Sequence, residues 1–434
     1  MIIGKIWDSE YPWDVRVEKV TSALMDAGHE VHLFCRNRKG QPEREHIGNL
    51  DVHRMPNWPR AGTWLDDISS FPAFVSPRWI RHVLRTAREV HVNLLLCRDL
   101  PLAPLALWIG HRLDVPVVVD IAENYPAMLK HRYHPREFKV QNLLVRNPLF
   151  AAVVERFVVR RADGILVVVD ESRDRLLRLG TAADRVEVVC NTPTVARIRQ
   201  MEQSAGQRAS GCGPLRLVYL GLLGITRGID VTLRALHELD ARGVDIHLDV
   251  IGSLRGEHDY AADASSLGIA HRVTFHGEMP YDTALRIVAV ADVGLVPHHA
   301  TEHWRTTIPN KLFDYMAGGL PVLVSDAPPT KRIVNETSCG LVFRDRDPAD
   351  LAARVMDLVD VRTRQRMGVA GREAVLERYN WGRDGMRLVQ HLENVHDRAA
   401  GTVARVSAPA LPLAPEALGS LLANLDVDTT ARGN

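Results

Sequence analysis

The 434-residue sequence lacks several features that would place a chain outside the ordinary globular class. Its five cysteines, Cys35, Cys97, Cys190, Cys212 and Cys339, include no CxxC pair. That spacing offers no zinc ribbon, and most of the five fall in apolar, strand-like runs, where buried free thiols in a reducing compartment are expected. No apolar run is long enough for a bilayer. The most apolar uncharged stretch, LPLAPLALWIG, is about half the required length and contains Pro101 and Pro104. The opening MIIGKIWDSE has no basic segment leading into an apolar one, so a signal peptide is not expected and the expected location is cytoplasmic. Neither charge dominates. Lys and Arg number 54 against 53 Asp and Glu; residues 1–200 hold 29 against 24, the remainder 25 against 29. The dense basic stripe of a nucleic-acid binder is missing, so no nucleic-acid partner is expected.

What the chain does contain is alternation. Short β-branched runs such as EVHLFCR, NLLLCRD, VPVVVDIAE and GILVVVD alternate with longer amphipathic segments, the pattern of an α/β protein with parallel sheets. The length calls for two domains. MEQSAGQRASGCG, residues 201–213, is polar, glycine-rich and aperiodic, and is expected to be the linker between a domain at 1–200 and one at 214–380. Residues 399–434 scatter Ala, Pro and Gly and are expected to form a flexible tail. In doubly wound sheets ligands bind at the carboxyl ends of the strands, so two such domains would face a common cleft.

Two loops of the second half carry chemistry. YLGLLGITRGIDV supplies Gly221, Gly224 and Gly228 for close backbone approach, and Arg227 beside a helix start. It is not the GxGxxG dinucleotide fingerprint, so a nicotinamide cofactor loses support. TTIPNKLFDYMAGGLPVLVSD reads as a helix stopped by Gly318 and Gly319 and followed by a buried strand, yet it places Lys311 in the first helical turn, where the dipole disfavours a cation. A bound anion would resolve that conflict. Together Arg227 and Lys311 would neutralise a diphosphate without a metal.

Other motifs are weaker. HATEH, His299–His303, matches the H-x-x-E-H zinc-protease string but runs into loop-like sequence, and a chance match is the better reading. DRD at Asp345–Asp347 is better explained by helix capping than by a metal. In the first half, Asp99 and the group Asp120, Glu123 and Asn124 stand at strand ends expected to open onto the cleft, with Asp14 and Arg16 at its rim. SPRWIRHVLRTAREV, Ser76–Val90, is a basic amphipathic helix, suited to an anionic membrane surface or to plain packing on the core.

The ordered series of motifs resembles the retaining, GT-B-fold glycosyltransferases of family 4 over about residues 1–395. YPWDVRVEKVTSALMDAGHEVHLF, RDLPLAPLALWIGHRLDVPVVVDIAENYP, RRADGILVVVD, VVCNTP, YLGLLGITRGIDV, VTFHGEMP, ADVGLVP and IPNKLFDYMAGGLP follow the family's motifs in order. The resemblance implies two Rossmann-like domains. The first binds the acceptor and is completed by a C-terminal helix at about 381–398; the second binds a nucleotide-sugar, UDP- or GDP-linked, with no other cofactor and no metal. It implies that Arg227 and Lys311 stabilise the departing diphosphate and that Asp314 holds the ribose. Gly277, Glu278 and Met279 would meet the base, with Gly221, Gly224, Thr306, Thr307 and Asn310 also on the donor side. Asp99 and Glu123 are the acids expected nearest the chemistry, and Asp14, Arg16, Asp120 and Asn124 the substrate contacts. The acceptor would be a glycan, a lipid-linked glycan or a small polar molecule, with peripheral contact at the inner face of the membrane in the lipid-linked case.

The chain departs from the family at five positions. Thr306 stands where the first glutamate of the E-x7-E pattern belongs and Asp314 where the second does. Leu222 replaces the arginine after the first loop glycine, Ala122 the histidine before Glu123, and Arg98 the histidine before Asp99. These departures keep two other readings in view: a non-catalytic partner of another transferase, and a nucleotide-sugar epimerase.

Overall fold

The computed structural model describes residues 1–12, 14–56, 76–130, 146–205, 213–253 and 258–401. Two sheets organise them. The first contains β1 (Ile2–Glu10), β2 (Glu30–Arg36), β3 (Arg44–Ile47), β4 (Leu50–Arg54), β5 (Leu94–Arg98), β6 (Val117–Ile121), β7 (Gly164–Val167) and β8 (Val186–Val188), in the order β3-β4-β2-β1-β5-β6-β7-β8. Its pairs are parallel except the β3–β4 hairpin at one edge. The second contains β9 (Leu215–Leu220), β10 (Ile246–Ile251), β11 (Val273–Gly277), β12 (Val293–Val296), β13 (Val322–Ser325) and β14 (Gly340–Phe343). Its order is β11-β10-β9-β12-β13-β14, parallel throughout. Strand order reverses at β1 and at β9, so the crevices suited to a ligand open beside the carboxyl ends of those two strands.

The central strands are apolar runs because helices cover both faces of each sheet. β6 is buried along its whole length, and so are β7, β12 and β13. The helix Trp381–Gly401 returns to the first sheet, packing Trp381, Leu388, Leu392 and Val395 with Val17, Val20 and Leu24 of the helix Val15–Asp26. A further core cluster belongs to both halves: Ala122, Val168, Val169 and Cys190 pack in one cluster with Ile308, Leu312, Phe313 and Met316. The cysteines Cys35, Cys97, Cys190 and Cys339 are buried and free.

Two sequence expectations shift. A helix, Val195–Ala205, runs into the expected linker, because Ile198 and Met201, three residues apart on one face, bury themselves in the shared cluster. The last helix extends to Gly401, two residues past the expected start of the tail. The rest of the linker, 206–212, and of the tail, 402–434, lies outside the described residues. The β3–β4 hairpin, absent from the expected elements, turns on Gly48 and Asn49, a local two-residue hairpin signal.

Under the ends of β1, β5 and β6 lies a charge cluster. Arg16, 2% exposed, grips Asp120, 0% exposed, through Nε (2.9 Å) and Nη2 (2.7 Å), and Nη1 donates to the Val189 carbonyl at 3.1 Å. Arg98 adds a bond to Asp120 at 3.4 Å and one to Asp14 at 3.2 Å. Burial alone would raise the Asp120 pKa, but Arg16, with Arg98 and Lys5 behind it, holds the carboxyl well below its ordinary range. Asp14 accepts the backbone N–H groups of Arg16 and Val17, both at 2.9 Å, and so caps the first helix. Removing one partner of such a pair strands the other charge in the core. Arg16→Met is therefore expected to cost about 3 kcal/mol in urea unfolding, and Arg16→Met with Asp120→Leu to recover most of it. A double-variant loss equal to the sum of the Arg16→Met and Asp120→Leu losses would show the two residues to be uncoupled.

Candidate functional site

Three glycines shape the second domain's strand ends. Gly221 follows β9 with φ 127°, and Gly252 follows β10 with φ 148°. A Cβ on Gly252 would lie 1.9 Å from the Gly221 carbonyl oxygen, so a side chain there would force the two loops apart. Gly228, φ 71°, begins the helix Ile229–Ala241, and its Cβ would stand 1.8 Å from the Pro297 carbonyl oxygen. The loop 222–227 is thus pressed against the loop that follows β12. Bonds between the loops fix it: His299 N–H to the Thr226 carbonyl at 3.0 Å, and Trp304 Nε1–H to the Thr226 hydroxyl at 3.4 Å. Gly224 closes the turn by accepting from the Arg227 N–H at 2.9 Å.

Two cations emerge here. Arg227 Nη1 donates to His298 Nε2 at 2.9 Å while its guanidinium lies 4.5 Å from the Trp304 ring. Among the described residues Lys311, 8% exposed, has no hydrogen-bond partner for Nζ. That Nζ rests 3.6 Å over the Tyr219 ring and 3.1 Å from where a Gly221 Cβ would be. Burial first, then Arg227, pushes its pKa well below the lysine range. The dipole conflict posed by the sequence is minor, since the helix Lys311–Ala317 is only seven residues long. An ammonium group without a partner is the real cost. Both observations ask for an anion beside Gly221.

The remaining donor-side residues are dispersed around this point. Asp314 is half-buried, and burial raises its pKa in spite of Arg197. Its carboxylate faces Arg197 at 3.5 Å and the Tyr281 hydroxyl at 3.3 Å, with Arg197 stacked 3.3 Å over the Tyr281 ring. Gly277 accepts from the Gly252 N–H at 2.9 Å, which sets the exposed Gly277 and Glu278 and the half-buried Met279 next to the Gly221 loop. Thr307 is buried and Asn310 exposed, its side chain making no capping bond.

On the first-domain side, Glu123 and Asn124 reach across. Glu123 meets His303 Nε2 at 3.2 Å, and Asn124 Nδ2 donates to the Thr306 hydroxyl at 3.0 Å. A Lys130–Glu302 pair adds a third bridge. Asp99 sits at the end of β5 with φ 67°, an unusual backbone for a non-glycine residue. The carboxyl shares a hydrogen bond with Tyr125, its buried Oδ1 has no partner among the described residues, and burial, against Arg98, raises its pKa. Arg16 and Asp120 are a correction. Expected at the cleft, they are consumed by one another beneath it, and Asp14 is taken up by capping and by Arg98.

The metal-like strings resolve into structure. HATEH forms no helix: His299 bonds Asp345 at 2.7 Å and Asp230 at 3.3 Å, while His303 turns to Glu123. Asp347 caps the helix Pro348–Asp357. Elsewhere Glu30, His32 and Asp51 bring ligand atoms within 4.8 Å of one another, but at the amino ends of β2 and β4, away from the cleft. His298, Trp304, Tyr219, Arg197 and Tyr281 were not singled out by the sequence, and His303 only as the last residue of HATEH. Only His298 carried a signal, its place directly after a strand's carboxyl end.

The first segment, residues 14–192, matches the family model described as glycosyl transferase 4-like domain, and residues 214–360 match that of glycosyl transferases group 1. The chain is 24% identical over 392 residues to a D-inositol 3-phosphate glycosyltransferase of Paenarthrobacter aurescens (strain TC1), covering 85% of this chain and 90% of that one. It is 30% identical over 180 residues to a GDP-mannose-dependent alpha-(1-6)-phosphatidylinositol monomannoside mannosyltransferase of Mycolicibacterium smegmatis, covering 41% and 47% respectively. Among solved structures, sucrose-phosphate synthase from Thermosynechococcus elongatus superposes with a TM-score of 0.71 at 17% identity, over 91% of this chain and 99% of that one. Anabaena HepE in complex with UDP-glucose superposes at 0.62 and 15%, over 91% and 100%.

The His299 cluster makes a pH prediction. The Asp230 hydrogen bond, opposed by burial and joined by the Asp345 bond, raises the His299 pKa above its ordinary 6.5. A raised histidine stabilises fully below the unfolded pKa and loses that contribution as pH rises through the folded one. The stability advantage of the wild type over His299→Asn is therefore expected to be greatest below about pH 6 and to shrink above neutrality in parallel thermal melts. A pH-independent difference would contradict the assignment.

Proposed function

The chain belongs to the GT-B glycosyltransferases of family 4, the group 1 glycosyl transferases, and we propose that it moves a sugar from a nucleoside diphosphate to an acceptor hydroxyl with retention of configuration and without a metal. The observation that carries the donor half is Lys311 Nζ, buried against Gly221 and near Arg227 with no hydrogen-bond partner among the described residues. As the anomeric C–O bond lengthens, negative charge grows on the leaving diphosphate, and two fixed cations in a partly dry site stabilise it where a divalent ion acts in other transferases. Lys311 takes the place of the family arginine that Leu222, exposed at the loop surface, does not supply.

The rest of the reading follows from position. Gly277, Glu278 and Met279 face the base, and Asp314 takes the ribose once it exchanges Arg197 and Tyr281 for a hydroxyl pair. Thr307 and Asn310 border the phosphates. Asp99, Glu123, Asn124 and Thr306 stand on the sugar and acceptor side. A UDP- or GDP-linked donor is supported by relatives: HepE is described in complex with UDP and with UDP-glucose, and the mycobacterial relative as GDP-mannose-dependent. An inositol phosphate acceptor is named for the Paenarthrobacter relative, which supports a polar acceptor for this chain.

Peripheral membrane contact rests on charge alone. The helix Pro77–Glu89 spends Trp79, Val83 and Ala87 on the core and turns Arg81, Arg85 and Arg88 outward, with Glu89 offsetting Arg85 at 2.8 Å. Such a face attracts anionic lipid by about 1 kcal/mol per arginine, without insertion. Among the described residues no helix is long and apolar enough to cross a membrane. Of the two other readings of the fold, neither has an observation of its own behind it.

Calorimetric titration with UDP, GDP and their sugars in EDTA tests the donor reading. One nucleotide class is expected to bind, with Lys311→Ala weakening it by about 10- to 100-fold; silence across the panel would sink the proposal. Binding should also take up a proton, because the diphosphate restores the lysine pKa that burial depresses. Affinity is therefore expected to fall as pH rises between the free and bound values of that pKa, and heats should depend on the buffer's ionisation enthalpy.

A further inference from the structure

We propose that His298 is a positioning residue for the donor diphosphate, a neutral hydrogen-bond acceptor that fixes the Arg227 guanidinium on Trp304 without spending its charge. The inference rests on the donor reading above and assigns a role that reading leaves open.

Arg227 is half-exposed on a short loop, and a free arginine there would lose rotamer entropy on meeting a phosphate. Two contacts remove that freedom beforehand. Nη1 donates to His298 Nε2 at 2.9 Å, and the guanidinium carbon lies 4.5 Å from the Trp304 ring centre. The imidazole packs edge-on against the same indole, with ring centroids 4.4 Å apart at 73°. His298 is itself immobilised: 2% exposed, its carbonyl accepting from the Ser325 hydroxyl. Trp304 is held in turn by Thr226.

The choice of acceptor matters chemically. An aspartate or glutamate at this point would hold the arginine more strongly but would neutralise it and repel the incoming diphosphate. A neutral imidazole holds it and leaves the full positive charge to the ligand. Accepting at Nε2 puts the ring hydrogen on Nδ1, which is buried and has no partner among the described residues. That unsatisfied group is a cost the fold carries without structural return, as functional sites do. Burial, then Lys311 and Arg227, holds the imidazole well below its ordinary pKa, so the acceptor lone pair persists through the physiological range. Among the described residues the other guanidinium nitrogens make no hydrogen bond, leaving them for phosphate oxygens.

The test compares nucleoside diphosphate with monophosphate, using UDP, UMP, GDP and GMP titrated into wild type, His298→Ala, His298→Gln and Arg227→Ala. Glutamine places an amide oxygen near the position of Nε2. A positioning role predicts that His298→Ala lowers the diphosphate-to-monophosphate affinity ratio by about tenfold and that His298→Gln restores it. On the Arg227→Ala background, adding His298→Ala should bring no further loss. Parallel loss of both nucleotides would mark a merely structural residue, and an unchanged ratio in folded His298→Ala would overturn the proposal outright. Should that variant not fold, His298→Met, which fills the space without an acceptor, takes its place under the same criteria. Wild type that binds none of the four nucleotides overturns the donor reading and this proposal together; wild type that binds, with the ratio kept in His298→Ala, overturns this one alone.

Discussion

A buried lysine amino group with no hydrogen-bond partner among the described residues is the constraint around which the second domain's loops are arranged. Lys311 Nζ lies over the Tyr219 ring, whose face offers partial compensation, and beside a second cation that makes matters worse. The neighbouring backbone can come this close only because Gly221 and Gly252 adopt positive φ and lack side chains. The same economy recurs at Gly228, which lets loop 222–227 lie against Pro297 and carries Arg227 to His298 and Trp304. On the proposed donor reading, an arriving diphosphate would relieve that imbalance, and the relief would favour a charged, phosphate-bearing ligand.

The first domain meets this site through contacts among the very residues that would serve substrate. Glu123 pairs with His303, Asn124 with Thr306 and Lys130 with Glu302. Away from the cleft, Arg332 ties the second domain to Glu171 at 2.8 Å and to Asp170 at 3.1 Å. The shared apolar cluster beneath these bridges carries most of the adhesion, because exposed ion pairs contribute little on their own. Polar groups at the mouth can therefore exchange partners for a ligand while the base of the cleft stays packed.

The departures from the family pattern acquire physical meaning here. Thr306 carries no charge, but as a hydrogen-bond acceptor for Asn124 it links the two sides, a task a glutamate would perform with a desolvation cost. Leu222 leaves a cation missing from the loop, and Lys311 brings one from the opposite direction. Arg98, replacing a histidine, is committed to Asp120 and Asp14 and so belongs to the floor under the cleft, together with Arg16 and the buried Lys5.

From the sequence alone followed the features that depend on local order: two α/β halves, the approximate strand and helix positions, the glycine loop, and the pairing of Arg227 with Lys311. Each is written in a periodicity, a turn residue or a strand end within about a dozen residues. The helix Val195–Ala205 was legible too, in the spacing of Val195, Ile198 and Met201, but polar neighbours masked it. Tertiary structure alone decided which partner each polar side chain would find. Arg16 and Asp120 are 104 residues apart, Arg227 and His298 71, Asn124 and Thr306 182. Whether an acid at a strand end meets substrate or vanishes into an ion pair depends on what the fold carries to it from such distances. No local pattern contains that information, since burial and pairing are properties of the packed chain.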